Sequence, residues 1–249
     1  MLKSLKLIFI GLVSYLVFML LLAPASFWLR WVELPPAVQL GPVTGSIWQG
    51  EISQLRYQQL SFERVRWQLS GWALWRGQLK LQLHSGSLQQ TALPYVQANI
   101  RYGLSGVTLT DSLLRLPVNS LVPLLQLPLP VAAAGELVVD IQRFVQQDNG
   151  CAELQGAASW NNAQLQPPTG TWLQLEAIHA RLSCQQGQPL LVTDPANPLG
   201  LAIDATVNTA GVLSVDGTLQ PAANLPAEVH QAMQFVGQPD ANGRYRIRF

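Results

Sequence analysis

The sequence predicts a mostly β protein: an N-terminal transmembrane helix followed by two related antiparallel β-sheet units, curved or packed on each other and partly open, with a few short helices. Three observations predict it. An uncharged apolar run opens the chain. Apolar and polar residues then alternate with a period of two through Leu60–Ser70 and Leu79–His84, the mark of half-buried strands. The same alternation, with the same change of parity, returns from Leu173.

Composition sets the bounds. The chain has 249 residues, 49% hydrophobic and only 12% charged, which is ample apolar material for one or two domains. Glutamine is abundant, so amides and hydroxyls rather than ions keep the surface wet. A net charge of +1 with no basic cluster gives no electrostatic footprint for a nucleic-acid backbone, and nucleic acid is not an expected partner.

After a lead of residues 1–6 carrying Lys3 and Lys6, the run Leu7–Ala23 is uncharged and sits at the lower length limit for a membrane-spanning helix. Lys6 can snorkel, and Phe27, Trp28 and Trp31 suit the far interface, giving an expected anchor over 7–28. The two lysines place the amino terminus in the cytoplasm and the bulk of the chain outside it. A cleavable signal peptide is the rival reading, with Ala23–Ala25 as its small-residue cleavage site. The apolar run exceeds a typical signal core, which favours the anchor. Either way the rest of the chain is exported. Cys151 and Cys184 are the only cysteines, and an even count in an oxidising compartment predicts one disulfide, against the alternative of two unrelated buried thiols.

The first unit is expected over 41–110. Leu60 and Phe62 alternate with polar neighbours, and then Val65, Trp67 and Leu69 alternate on the opposite parity, which requires a bulge or corner near Glu63 and Arg64. Leu79, Leu81 and Leu83 face one way, and Lys80, Gln82 and His84 the other. Residues 111–134 are apolar but broken by Pro117, Pro123, Pro128 and Pro130, so they read as a connector with one or two helical turns. The second unit, 135–249, opens with Gly135–Val145. Leu173–Cys184 superposes on Leu60–Gly71 with Glu176 over Glu63 and Leu182 over Leu69, and shares its parity change. Strands follow at Leu199–Val207 and Val212–Leu219. Asn224 caps a short helix that begins near Pro226 and presents Val229, Met233 and Val236. Tyr245, Ile247 and Phe249 alternate with arginines in a last strand.

A catalytic or metal constellation is not legible. His84, His179 and His230 stand at no metal-ligand spacing from one another, and the sequence has neither a nucleophile elbow nor a phosphate loop. Glu63 and Glu176 hold matching places, which suits a repeated bulge better than an acid–base pair. Trp48, Trp67, Trp72 and Trp75 crowd the first unit and are expected to fill a thin core rather than form a stacking platform. The C-terminal aromatic strand resembles an outer-membrane barrel signal, but the chain lacks enough lipid-facing strands to support that reading. No catalytic residue and no cofactor is expected.

The short lead with its apolar helix, "GSIWQGEI" at Gly45–Ile52, "WQLSGWALWRGQLKLQL" at Trp67–Leu83, "CQQGQPLL" from Cys184 and the tail from Leu225 together resemble the type II secretion system protein N family. The Gly-x-x-Trp-x-Gly opening is similar to that of a wider set of AsmA-type envelope proteins. The resemblance implies a single-pass inner-membrane protein of Gram-negative bacteria with a periplasmic domain. It implies an accessory, non-enzymatic role in moving folded proteins across the outer membrane, with other components of that secretion system as partners. The alternative is a lipid-handling module that holds acyl chains on a curved sheet.

Overall fold

A computed structural model of the chain describes residues 2–22, 24–29, 31, 33–124, 131–148, 150–166, 170–208, 210–233 and 236–248. Helix α1 is Leu2–Leu22 and α2 is Ala25–Leu29. Pro24, which has no N–H to donate and disfavours a helical residue before it, stands between them. Among the described residues no helix is long and apolar enough to cross a membrane. Lys3 and Lys6 fall inside α1, and its uncharged part, Leu7–Leu22, covers only about 24 Å at 1.5 Å per residue. A hydrocarbon core is about 30 Å thick. The expected span over 7–28 is thus two helices, the longer of which carries charge.

Fifteen strands follow among the described residues. In the first half these are β1 (Val38–Leu40), β2 (Val43–Gly45), β3 (Gln49–Tyr57), β4 (Leu60–Ser70), β5 (Leu79–Ser85), β6 (Tyr95–Gly103) and β7 (Gly106–Pro117). The second half holds β8 (Ala132–Gln147), β9 (Gly150–Gln166), β10 (Leu173–Gln174), β11 (Ile178–Gln185), β12 (Gln188–Thr193), β13 (Ala202–Val207), β14 (Leu213–Leu219) and β15 (Tyr245–Arg248). They make one antiparallel sheet in the order β1-β3-β4-β5-β6-β7-β8-β9-β11-β12-β13-β14-β15, with β2 on β3 and β10 on β9. The sheet is open, with β1 and β15 at its two ends, and is not a barrel.

The ladder runs without a break from one half to the other, since β7 pairs β8 from Val107 opposite Gln146 to Pro117 opposite Glu136. Part of the 111–134 stretch is therefore strand. Pro117 ends its strand, where a missing N–H costs little, and two single 3-10 turns follow at Val118–Ser120 and Val122–Leu124. The rest of the proline-rich run, 125–130, lies outside the described residues.

Parity changes are built from residues in the left-handed region. Arg64 has φ 49. On its β5 side the ladder holds Arg66 opposite His84, while the Glu63 carbonyl accepts both the Gly86 N–H and the Ser85 hydroxyl, a slip of one residue. In the second copy Glu176 takes φ 59, one place earlier than Arg64 in the alignment. There β10 and β11 flank the break, whereas β4 bends and continues. Asp111 (φ 46) does the same in β7, beside a register shift between Gln97 and Asn99. Each bulge keeps the apolar residues on one face and adds twist.

Among the described residues a compact core cluster forms toward the C-terminal end. Leu173, Leu175, Leu199, Leu219, Val229 and Met233 bury one another there, with Leu175 at 0% exposure. Val229 and Met233 come from α3 (Ala227–Ala232) and the turn after it. The helix begins after Pro226, which supplies no side-chain cap, so Asn224 does not take the role expected of it. Proline's fixed φ presets the helix entry without one. Phe249 lies outside the described residues.

Candidate functional site

Over the first half of the sheet the apolar face is only half-buried. Leu81 stands directly opposite Leu69 and Ile100, and Leu83 opposite Trp67 and Ala98. All six side chains are of intermediate exposure, as are Val65, Leu79 and Leu109. Cross-strand aliphatic and aromatic pairs of this kind stabilise a sheet by about 0.2–1 kcal/mol each. They do not dry the face, which stays half-exposed.

The Gly45–Gly50 motif has a local structural reason. Gly45 takes φ 94 in the β2–β3 turn. The Ser46 hydroxyl accepts from the Trp48 N–H at 3.2 Å, and the Ser46 N–H donates to the Gln49 carbonyl at 2.8 Å. A Cβ on Gly50 would overlap the Trp67 ring, which donates its indole N–H to the Ile47 carbonyl at 3.1 Å. Trp48 packs on Gly71 in turn. Trp48 and Trp67 thus pack as expected of thin-core residues. Trp72 and Trp75 do not: both point out of a 3-10 turn, Gly71–Arg76, whose inward residue is Ala73.

The opposite face is polar. Glu51 accepts from Arg66 Nε at 2.7 Å, and beside this pair Gln68, Gln82, His84 and Gln97 line an open cleft of about 670 Å³. His84 meets the Tyr95 ring edge-on at 5.5 Å. A second cleft of about 520 Å³ holds Asp140, His179 and Arg181. His230 lies exposed on α3. Glu63 and Glu176 are exposed and far apart in the sheet, on β4 and between β10 and β11, so they form no acid–base pair. Among the described residues no cluster of His, Cys, Asp and Glu could hold a metal ion.

Two fastenings stand out. Cys151 and Cys184 are joined, with Cα atoms 5.7 Å apart, beyond the last β9–β11 pair at Gly156 and Leu182. At the C-terminal edge Asp216 accepts from Arg248 Nη2 at 2.8 Å and lies 3.6 Å from Arg246. The Arg248 hydrogen bonds hold its carboxyl below the usual carboxylate range. Arg115 has no counterpart in the sequence reading. It is buried, and its guanidinium donates to the Ser87, Leu88 and Gln90 carbonyls, pinning the β5–β6 loop. Its alternation in β7 was readable, but a lone cation on an apolar strand gives no hint that three carbonyls await it.

The described residues thus form one open antiparallel sheet, apolar and half-exposed on one face of its first half and polar on the other, with β1 and β15 at its ends. The model of the family Type II secretion system (T2SS), protein N, matches residues 36–248, and the chain belongs to that family. It is similar to the type II secretion system protein N of Aeromonas hydrophila, at 31% identity over 96% of this chain and 94% of that protein. It is also similar to those of Vibrio cholerae serotype O1, at 30% over 89% and 88%, and Klebsiella pneumoniae, at 28% over 94% and 90%. These relatives are named as components of a secretion system, not as enzymes. No solved structure matches the chain.

Proposed function

We propose that this chain is an inner-membrane-anchored, largely periplasmic accessory component of the type II secretion system. It supports export of folded proteins across the outer membrane through contacts with other components of the apparatus, as a scaffold or assembly factor and not as a catalyst. The observation that carries this reading is the open sheet: β1 and β15 leave backbone groups free to pair with a partner strand. Helix α1 supports the anchor, because Ile8, Phe9, Ile10, Leu12, Tyr15 and Phe18 are all exposed, a surface water disfavours and lipid does not. The shortfall in its apolar length is met by Lys6 snorkelling and by local thinning of the bilayer. Lys3 and Lys6 orient the amino terminus to the cytoplasm. The two stretches 41–110 and 135–249 act as related lengths of one platform, linked by 111–134.

Deleting the gene in its host should lower secretion of type II substrates, or assembly of the machine, while export across the inner membrane proceeds. Unchanged secretion together with unchanged composition of the complex would count decisively against the proposal. The half-exposed apolar face supports a second reading, in which acyl chains lie along Leu79, Leu81, Leu83 and Trp67. Native mass spectrometry of the gently purified protein should then carry phospholipid. Its absence would remove that reading and leave the first intact.

A further inference from the structure

One end of the sheet carries several exposed aromatic side chains of the first half, among them Trp72, Trp75 and Tyr102. Helix α2 packs on β2, and Pro24 pairs with Ser46 in the turn before β3. Trp48 of that turn donates no hydrogen bond from its indole but accepts the Leu69 N–H at its carbonyl, 2.6 Å away, and lies on Gly71. The chain then enters the 3-10 turn Gly71–Arg76, closed by Gly77 at φ 66. A Cβ on Gly103 would stand 3.4 Å from Gln78, so the β6–β7 turn is the next tip along the same end. From these adjoining tips Trp72 (87% exposed), Trp75 (89%), Leu74, Tyr102 and a fully exposed Leu104 project outward. Phe27 and Trp31 are also exposed, on and just after α2.

Cations accompany the rings. Lys80 stands directly opposite Arg101 on the polar face, and like charges so placed repel. Neither they nor Arg76 has a carboxylate partner among the described residues. Trp72 and Trp75 line none of the clefts found among the described residues, while Tyr102 and Leu104 border an open cleft of about 510 Å³ shared with Gln146 and Asp148. Exposed indoles, a phenol and leucines with unpaired cations behind them match the chemistry of a bilayer interface, where tryptophan and tyrosine settle among headgroups and lysine and arginine meet lipid phosphates.

We propose that this end of the sheet is a membrane-contact surface. Trp72, Trp75 and Leu104 enter the headgroup layer of a phospholipid bilayer, and Lys80 and Arg101 face its anionic groups. The proposal deepens the anchor reading and rests on it: α1 delivers the chain to the bilayer, and the tips set the sheet upright upon it. Left in water, the exposed indoles would be a standing liability for aggregation.

Photoreactive benzoylphenylalanine placed singly at Tyr15, Trp75, Leu104 and His179 of the full chain, irradiated in cells and read by mass spectrometry, tests it. Tyr15 reports the anchor and His179 the background on the distant polar face. The expected result is a mass increase of one phospholipid at Tyr15, Trp75 and Leu104, with none at His179. Lipid at Tyr15 with none at Trp75 and Leu104, or with protein adducts alone there, overturns the contact surface and leaves the anchor standing. No lipid at any of the four overturns both.

Discussion

Removing the disulfide should weaken the second half of the sheet by an amount set by the loop it closes. Cys151 and Cys184 are separated by 33 in sequence. On the chain-entropy model a loop of that length contributes about 3.7 kcal/mol at 25 °C by restricting the unfolded chain. The bond also holds strands β9 and β11 together where their hydrogen-bonded ladder has already stopped at Gly156 and Leu182. Its loss should therefore fray that end before the chain unfolds. For a chain of this size the deficit corresponds to a fall in Tm of about 7–15 °C. The double variant Cys151→Ser/Cys184→Ser, compared with the oxidised parent by denaturant unfolding in the same detergent, measures it directly, and added reductant should shift the parent alone. A deficit below about 1 kcal/mol would refute the reasoning, since it would mean that the loop is closed by other structure in the unfolded state.

Other expectations follow from burial and charge. Leu175→Ala, at a fully buried position, should cost about 2–5 kcal/mol, whereas Leu81→Ala on the half-covered face should cost only about 1 kcal/mol; equal losses in thermal unfolding would mean that this face is a filled core. Arg115→Met keeps the apolar stem but removes three donors, so proteolysis in the Ser87–Gln90 loop should accelerate while the remainder of the chain resists. Asp216 has a lowered pKa in the folded protein, so its support for β15 is complete above the ordinary carboxylate value of about 3.9 and is lost as pH falls through the lower folded value. A carboxylate titration by NMR should find its midpoint below that of the unfolded chain, and Arg248→Gln should move it back up.

The sheet was largely legible because half-buried strands write their burial at a period of two. Even the corner at Arg64 could be read, since a left-handed residue that shifts the ladder must also shift the parity of every apolar residue after it. Strand β12 was not read: Leu190, Leu191 and Val192 are consecutive, so no alternation distinguishes its faces. The open side of the sheet was equally hidden, because an apolar face has the same sequence whether a helix covers it or not. Trp72 and Trp75 show the limit most plainly. Their spacing fits a filled core as well as a surface, and only the 3-10 turn, which buries Ala73 between them, turns both rings outward.

A sheet proposed to work by touching other parts of a secretion machine should be found against them in the cell. Photoreactive residues at Arg66, Gln82 and His179, along the exposed polar face, test it in living cells through the identity of what they capture. The account predicts protein adducts that resolve to type II secretion components. Three positions that capture no component of the apparatus, in cells that are secreting, would contradict it.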